Sequence, residues 1–280
     1  MEPLINNILG QMSDVRRPQK KFLVTLFLTI LLMRGKVNFR NLSRYSDYCE
    51  KTYARHYRRT FSFIEFNKQV LDAIVPPSHE LIGVMDGSFI PKSGKKTYGL
   101  GYFYNSSQDK ATKGLEISVL GVVDVTDNTA YSLSAWQTPP QTEIEQLVTE
   151  QPSAAAADDD EISRVDFYAW HLRRDIQILR QMVNYLVVDG YYSKLKFVNA
   201  VLELGLQQIG KLRHDANLRY LYHGPQKKLG PDVSTMVKSS LMTYAGSLMS
   251  TKLSQIFIST PPWFTTLISN AISDWSICSI

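Results

Sequence analysis

The sequence predicts an α/β fold in which a mixed sheet with flanking helices is preceded by a small all-helical domain. Residues 1–76 repeat apolar side chains with the helical period, whereas residues 80–137 change to the alternation that is typical of strands. Beyond residue 162, helical and strand-like stretches alternate, which is typical of parallel strands joined by helices. A chain of 280 residues with 44% hydrophobic composition is long and apolar enough to bury such a core.

The helical domain is predicted from apolar runs and from the residues that end them. Residues 22–33 are apolar almost all round, and Gly35 follows where a helix terminator is expected. Another helix is predicted over residues 62–74, and the dipeptide Pro76-Pro77 then stops it. We therefore expect the helical domain to span residues 1–76.

Positive charge concentrates in this helical domain. Residues 1–76 hold thirteen Lys or Arg against six Asp or Glu, and tyrosines lie between many of the basic residues. Dispersed cations on a compact helical unit favour binding to duplex DNA, because contacts with phosphates release counterions. A solvated helix face, the ordinary role of such a run, stays open as the alternative. The residues predicted to contact DNA in this domain are Arg40, Arg44, Arg55 and Arg58.

Composition narrows the class of protein further. The net charge of +5 and the pI near 9.0 favour an anionic partner, although a slightly basic protein of the cytosol would share them. Cys49 and Cys278 lie far apart, which predicts neither a zinc site nor a disulfide framework and favours a reducing compartment. The start of the chain lacks the pattern of a signal peptide, and residues 22–33 are too few to span a bilayer, so we expect a cytoplasmic protein without a membrane partner. The five histidines show no paired spacing for a metal.

The middle of the chain predicts a block of consecutive antiparallel strands, with a hairpin turn at Asp127-Asn128. Residues 138–162 are polar, rich in Pro and Ala, and end in a run of Asp, so they predict a mobile insert loop rather than a site. The strand-like runs before the insert are 81–85, 97–105, 115–125 and 130–136; after it come a helix over 162–182, a strand at 184–188, a helix at 194–204 and a strand at 207–212.

Two of these strands end in an aspartate that is followed by glycine. In this order of elements the first strand lies centrally and the strand at 184–188 packs parallel to it, so Asp86 and Asp189 are predicted to meet. Adjacent carboxylates repel each other unless a cation lies between them, and a divalent metal is the usual means of cutting a phosphodiester bond. Either string alone is also typical of an ordinary turn after a strand.

Three segments carry a resemblance to a known family. Residues 85–95, together with Tyr98-Gly99 and the β-rich run to Trp136, resemble the first half of the catalytic domain of DDE transposases from insertion sequences, which belong to the RNase H-like superfamily. Residues 186–193 resemble the second aspartate motif of that family, and residues 210–218 resemble the strand and loop that follow it.

The resemblance implies an RNase H-like catalytic domain over residues 80–230, in which Asp86 and Asp189 are catalytic and bind Mg²⁺ or Mn²⁺. It implies cleavage of double-stranded DNA at transposon ends and joining to target DNA, by a homodimer on the nucleoid of a prokaryotic cytoplasm. Basic residues beside the two aspartates are then expected to contact the DNA strand; they are Lys92, Lys95, Lys211 and Arg213. For Lys92 and Lys95, a solvated basic turn is an equally good explanation.

The C-terminal part departs from the family pattern. The family requires a third acid, usually Glu, on a helix well after the second aspartate, and no glutamate follows Glu203. Residues 231–280 nearly lack charge and form an atypical tail, which predicts a truncated or frameshifted reading of the ancestral gene. An ordinary divergent C-terminus that uses Asp274 as the third ligand is the alternative.

The sequence therefore predicts a transposase that is impaired by loss of its third acid. A non-catalytic DNA-binding remnant of such a transposase is the first alternative. A nuclease of the same superfamily without a role in mobile elements is the second.

Overall fold

The computed structural model describes residues 1–94, 97–105, 108–150 and 162–211, together with the backbone of Arg219–Leu221 and Thr235–Lys238. Within these ranges the predicted mixed sheet with flanking helices is confirmed, and the fold is RNase H-like. The helices are α1 (Glu2–Gln11), α2 (Arg17–Leu32), α3 (Phe39–Leu42), α4 (Glu50–Tyr57), α5 (Phe63–Ile74), α6 (Gln141–Glu150), α7 (Arg164–Leu179) and α8 (Leu195–Glu203), with a 3-10 turn at Gly190–Tyr192. The strands are β1 (Leu81–Pro91), β2 (Gly101–Asn105), β3 (Lys110–Asp124), β4 (Thr129–Gln137), β5 (Tyr185–Val188), β6 (Gln207–Gly210), β7 (Arg219–Leu221) and β8 (Thr235–Lys238).

The N-terminal helices pack around an aromatic core. The ring of Phe22 lies edge-on to Tyr53 at a centroid distance of 5.5 Å and stacks on His56 at 3.9 Å. The side chain of Asn38 caps α3 by accepting a hydrogen bond of 2.8 Å from the amide of Asn41, which satisfies a donor that the helix leaves free. Burial inside this unit explains the apolar side chains of α2 up to Leu28, whereas residues 30–32 at the end of the helix are exposed.

Helix α5 joins the helical core to the core of the sheet. Phe66 belongs to the first cluster of buried side chains, whereas Leu71 and Val75 belong to the second, which α7 and the sheet share. Asn67 also donates a hydrogen bond of 3.0 Å to the carbonyl oxygen of Leu133 in β4. The helical unit is therefore attached to the sheet through both packing and a hydrogen bond.

Strand β1 lies in the centre of the sheet. It pairs with β3 in antiparallel fashion and with β5 in parallel, and β6 extends the sheet beyond β5. On its other edge β3 pairs with β4 and, further along, with β2. The turn between β3 and β4 places Asn128 at a φ of 52°, a left-handed conformation that asparagine tolerates, so the predicted hairpin turn is confirmed.

Strand β1 runs past the predicted end at residue 85 and continues to Pro91. It can do so because Gly114 of β3 pairs with Pro91 on one side and with Gly101 of β2 on the other. A Cβ atom at Gly114 would lie only 2.5 Å from the carbonyl oxygen of Ile90, so no larger residue fits between these strands. Beyond this point β2 and the start of β3 form a two-stranded hairpin.

The two faces of the sheet differ in their packing. Helix α7 covers one face, where Leu172 and Ile176 join Met85, Leu120 and Leu186 in the largest buried cluster. The opposite face carries a smaller cluster, formed by Ile82, Val123 and Val187.

The prediction of a loop over residues 138–162 is wrong for residues 141–150, which form α6. Ile144 is fully buried, and Leu147 and Val148 pack against the main core at the i, i+3 and i+4 spacing of a helix. The surrounding polar residues hid this short apolar stripe in the sequence. Residues 151–161, with the run of Asp, lie outside the described residues.

In the described ranges, no helix combines the length and the apolar character that a bilayer crossing requires.

Candidate metal and DNA site

The register of β1 and β5 brings the two predicted aspartates side by side. Met85 and Val188 are the last paired residues of these parallel strands, and Asp86 and Asp189 are the next residue on each. The backbone of Asp189 stays extended, so the pairing direction continues through it. Neighbours in parallel strands point to the same face and lie about 4.8 Å apart, and both carboxylates therefore emerge on the face opposite α7.

Backbone amides orient both carboxylates. The amide of Gly87 donates a hydrogen bond of 2.8 Å to Oδ1 of Asp86, and the amide of Tyr191 donates one of 2.9 Å to Oδ1 of Asp189. In the described part of the chain, neither carboxylate forms an ion pair with Lys, Arg or His. Within the described ranges, the negative charge of each aspartate is therefore not compensated by a cation.

The surroundings of these two carboxylates disfavour their negative charge. Burial raises the pKa of Asp86 to about 6, and the charges of Asp189 and Glu116 add to the effect. The pKa of Asp189 is raised as well, because neighbouring protein removes part of its hydration although the residue itself is exposed at the surface. A cation bound between the two side chains would remove this penalty.

Glu116 is a third acid near Asp86 that the sequence did not single out. Its carboxylate accepts hydrogen bonds from the hydroxyl of Tyr168 at 2.7 Å and from Thr138 at 3.0 Å, and it pairs with Arg164 at 3.2 Å. Glu116 lies opposite Phe89 in the register, so its side chain is on the α7 face and not on the face of Asp86. The negative charge of Glu116 acts on Asp86 from the other face of the sheet, while its own carboxylate oxygens already accept hydrogen bonds.

A different set of residues satisfies the geometry of a three-ligand metal site. Among the described residues, His79, Asp124 and Asp127 are the one group whose ligand atoms all lie within 4.8 Å of one another. Asp124 pairs with Leu81 at the start of β1, five residues before Asp86, which is about 17 Å along the strand. This group is therefore at the opposite end of the sheet from the two aspartates.

Hydrogen bonds within this second group already use its ligand atoms. His79 Nδ1 lies 2.7 Å from Oδ2 of Asp124 and 3.7 Å from Asp127, and Oδ1 of Asp124 accepts from the amides of Thr126 at 2.9 Å and Asp127 at 3.1 Å. Burial opposes ionisation of Asp124, but the hydrogen bonds from His79 and the amides outweigh it and lower its pKa. The hydrogen bond to Asp124 raises the pKa of His79. We call His79, Asp124 and Asp127 the clasp, because their contacts hold the β3–β4 turn against the segment before β1.

The basic residues predicted in the helical domain are all exposed on α3 and α4 or directly after them. Burial lowers the pKa of His56, and the positive charges of Arg59 and Arg55 lower it further, which indicates a basic surface at the end of α4. The four predicted residues are Arg40, Arg44, Arg55 and Arg58.

The basic residues predicted beside the aspartates are only partly described. Lys211 follows Gly210, which pairs with Val188, so Lys211 is aligned with Asp189 at the same sheet edge. Lys92 is exposed directly after β1. Lys95 and Arg213 lie outside the described residues, as do the later acids Asp215, Asp232 and Asp274 and the tail from residue 239 onward.

Comparison with protein-family models identifies the family of this chain. A family model with the description DDE superfamily endonuclease matches residues 64–232, which is more than half of the chain. The matched segment begins within α5 and contains both Asp86 and Asp189. No curated protein matches the chain.

Proposed function

The chain belongs to the DDE superfamily endonuclease family, and on that premise we propose that it is a transposase of an insertion sequence. The reaction would be cleavage of DNA at transposon ends and transfer of the freed strand to target DNA. The observation that carries this proposal is the alignment of Asp86 with Asp189 on one face of two parallel strands, where no described residue forms an ion pair with either. Buried charges are paired or coordinate metals, so an external cation would compensate the partly buried Asp86 and its neighbour.

The donor set fits a hard divalent cation. Proteins of this family generally use divalent metals, and a pair of carboxylates suits Mg²⁺ or Mn²⁺ better than softer ions. Asp86 and Asp189 would hold the ion, which when bound supplies Lewis-acid polarisation and activates the attacking oxygen. The amides of Gly87 and Tyr191 keep the two carboxylates in place.

DNA binding is proposed for two surfaces. Lys211, aligned with Asp189, and Lys92 would contact the strand being cut, together with Lys95 and Arg213 as predicted from sequence. Residues 1–76 would bind the duplex through the arginines of α3 and α4. The protein would act as a homodimer on DNA of the nucleoid.

A salt titration of binding to a transposon-end duplex tests the role of these arginines, because each lost phosphate contact lowers the slope of log K against log salt by about 1. Arg55→Ala with Arg58→Ala is expected to lower it by about 2.

A second candidate, a non-catalytic DNA-binding remnant, is favoured by one observation. In the described ranges, no third acid joins Asp86 and Asp189 on their face of the sheet. If the third ligand is absent from the whole chain, turnover is impaired, because two carboxylates compensate less of the metal's charge than three.

A strand-cleavage and strand-transfer assay with Mn²⁺ separates the two candidates. If the protein is a transposase, the wild type converts transposon-end DNA and Asp86→Ala lowers the rate about a thousandfold, since each 1.36 kcal/mol of lost stabilisation costs tenfold. Asp127→Ala, which removes an exposed carboxylate at the other end of the sheet, is the matched control and keeps wild-type activity.

The outcomes of this assay have distinct meanings. Absence of activity in the wild type, with intact DNA affinity, supports the remnant. Activity that survives Asp86→Ala would contradict the assignment of Asp86 and Asp189 as the metal site. Terminal inverted repeats beside the gene distinguish a transposase from a nuclease without a role in mobile elements.

A further inference from the structure

The hairpin formed by β2 and the start of β3 extends the sheet beyond the two aspartates. Gly114 is the last residue of β3 that pairs with β1, and residues 110–113 pair with β2 alone. Asp86 lies opposite Val119, so the hairpin begins five residues, about 17 Å, further along β3. The hairpin lies in the direction in which the parallel strands β1 and β5 run past Asp86 and Asp189.

The register decides which side chains of the hairpin share the face of the aspartates. Along β3, residues 119, 117, 115 and 113 alternate to the same face, and the pairing with β1 is unbroken from Gly114 to Asp124. Lys113 therefore lies on the face of Asp86. Tyr102 pairs with Lys113, and Tyr104 pairs with Ala111, so both tyrosines are on this face as well.

The two faces of the hairpin are not equivalent. Phe103 points to the α7 face, where it is buried and the guanidinium of Arg164 lies 5.0 Å from its ring centre. Tyr102 and Tyr104, in contrast, are 71% and 62% exposed. The hydroxyl of Tyr104 donates to Asp109, and Lys113 donates a hydrogen bond of 3.0 Å to the carbonyl oxygen of Gly94. These contacts hold the hairpin while both aromatic rings remain open to solvent.

We propose that Tyr102 and Tyr104 form a stacking platform for unpaired bases of the DNA strand delivered to Asp86 and Asp189. The proposal rests on the proposed function, because it concerns the same DNA. Exposed aromatic rings stack on bases of any sequence, but the bases of an intact duplex are covered by their neighbours, so the platform selects frayed or single-stranded DNA. Lys113, beside Tyr102, supplies positive charge for the backbone of that strand.

Binding in EDTA tests the platform without any requirement for cleavage. The probes are a blunt DNA duplex and the same duplex with a six-nucleotide single-stranded fork that carries 2-aminopurine. The full chain is expected to bind the forked probe more tightly than the blunt one and to quench the 2-aminopurine fluorescence through stacking. The double variant Tyr102→Ala with Tyr104→Ala is expected to lose about tenfold in affinity for the forked probe, with blunt-duplex affinity unchanged.

The matched control is Tyr102→Phe with Tyr104→Phe, which keeps both rings and removes only the hydroxyls. It is expected to retain the fork preference and the quenching, whereas a role of the hydroxyls or of hairpin folding would affect both double variants. The proposal is overturned if the Ala variant keeps the fork preference. It is also overturned if the wild type binds both probes equally, which would indicate that the tyrosines contact a protein partner instead. Failure of the proposed function would instead appear as absent Mn²⁺-dependent cleavage with the fork preference intact.

Discussion

Two groups of aspartates lie at opposite ends of the same central strands and have opposite surroundings. Asp124 has a histidine and two backbone amides as hydrogen-bond partners, and its pKa is lowered. Among the described residues, Asp86 and Asp189 have backbone amides as hydrogen-bond partners and no cation, and the pKa of both is raised. Proximity alone would favour the group at Asp124 as a metal site, because among the described residues it is the one set of three ligand atoms within 4.8 Å of one another.

The difference shows that proximity of ligand atoms is a poor guide when the atoms are already engaged. A metal at His79 and Asp124 would have to replace hydrogen bonds that stabilise a turn, whereas a metal at Asp86 and Asp189 would relieve a repulsion. We therefore interpret the first group as structural and the second as functional.

The largest effect is expected for the loss of the buried carboxylate in the structural group. Asp124→Ala leaves His79 and two amides without an acceptor, so the free energy of unfolding should fall by about 2–4 kcal/mol. Urea unfolding followed by circular dichroism measures this. Asp127→Ala removes a side chain that is 62% exposed and should cost less than about 1 kcal/mol. Equal costs for the two variants would contradict the assignment of Asp124 as the centre of the clasp.

Metal binding should stabilise the protein through one end of the sheet only. Mn²⁺ at a hundredfold excess over its dissociation constant is expected to raise the free energy of unfolding by about 2.7 kcal/mol. The gain should vanish in Asp86→Ala and persist in Asp127→Ala, as measured by thermal or urea unfolding with and without EDTA. The reverse pattern would indicate that the metal binds to the group at His79.

Neutralising the functional aspartate should stabilise the metal-free protein. Asp86→Asn removes a half-buried charge, so at pH 7.5 in EDTA we expect the free energy of unfolding to rise by about 1–2 kcal/mol. Because the folded pKa of Asp86 is raised to about 6, the wild type regains this stability as the pH falls through 6 towards the unfolded value. The advantage of Asp86→Asn should therefore shrink between pH 6 and pH 4. A loss of stability in Asp86→Asn at pH 7.5 would mean that the charge is compensated.

The smallest effect concerns the protonation of the clasp. Since the hydrogen bond to Asp124 raises the pKa of His79, its contribution to stability is present below the ordinary histidine pKa and is lost as the pH rises through the folded value. A proton NMR titration of the imidazole should give a midpoint above that of a free histidine. In Asp124→Asn the midpoint should move down, and a midpoint that stays in place would break the link between the two side chains.

The sequence was informative where the signal is local. The apolar runs before Asp86 and Asp189 and the glycines after them are features of single strands, and the parallel pairing predicted for these strands is present in the structure. The sequence failed where partners are far apart. His79 and Asp124 are separated by 45 residues and Glu116 and Tyr168 by 52, so no spacing rule connects them. Glu116 did carry a weak signal, because it is the one charged residue in the β-rich run of residues 115–123.

By itself, the sequence determined the α/β class, the central strand and the two aspartates that end neighbouring strands, because backbone preferences and hydrophobic periods act over a few residues. Only the tertiary structure decided that residues 141–150 form a helix and that Tyr102 and Tyr104 share a face with Asp86. It also decided which aspartates have partners. These features depend on strand register and on the removal of water, and both are set by contacts between segments that are distant along the chain.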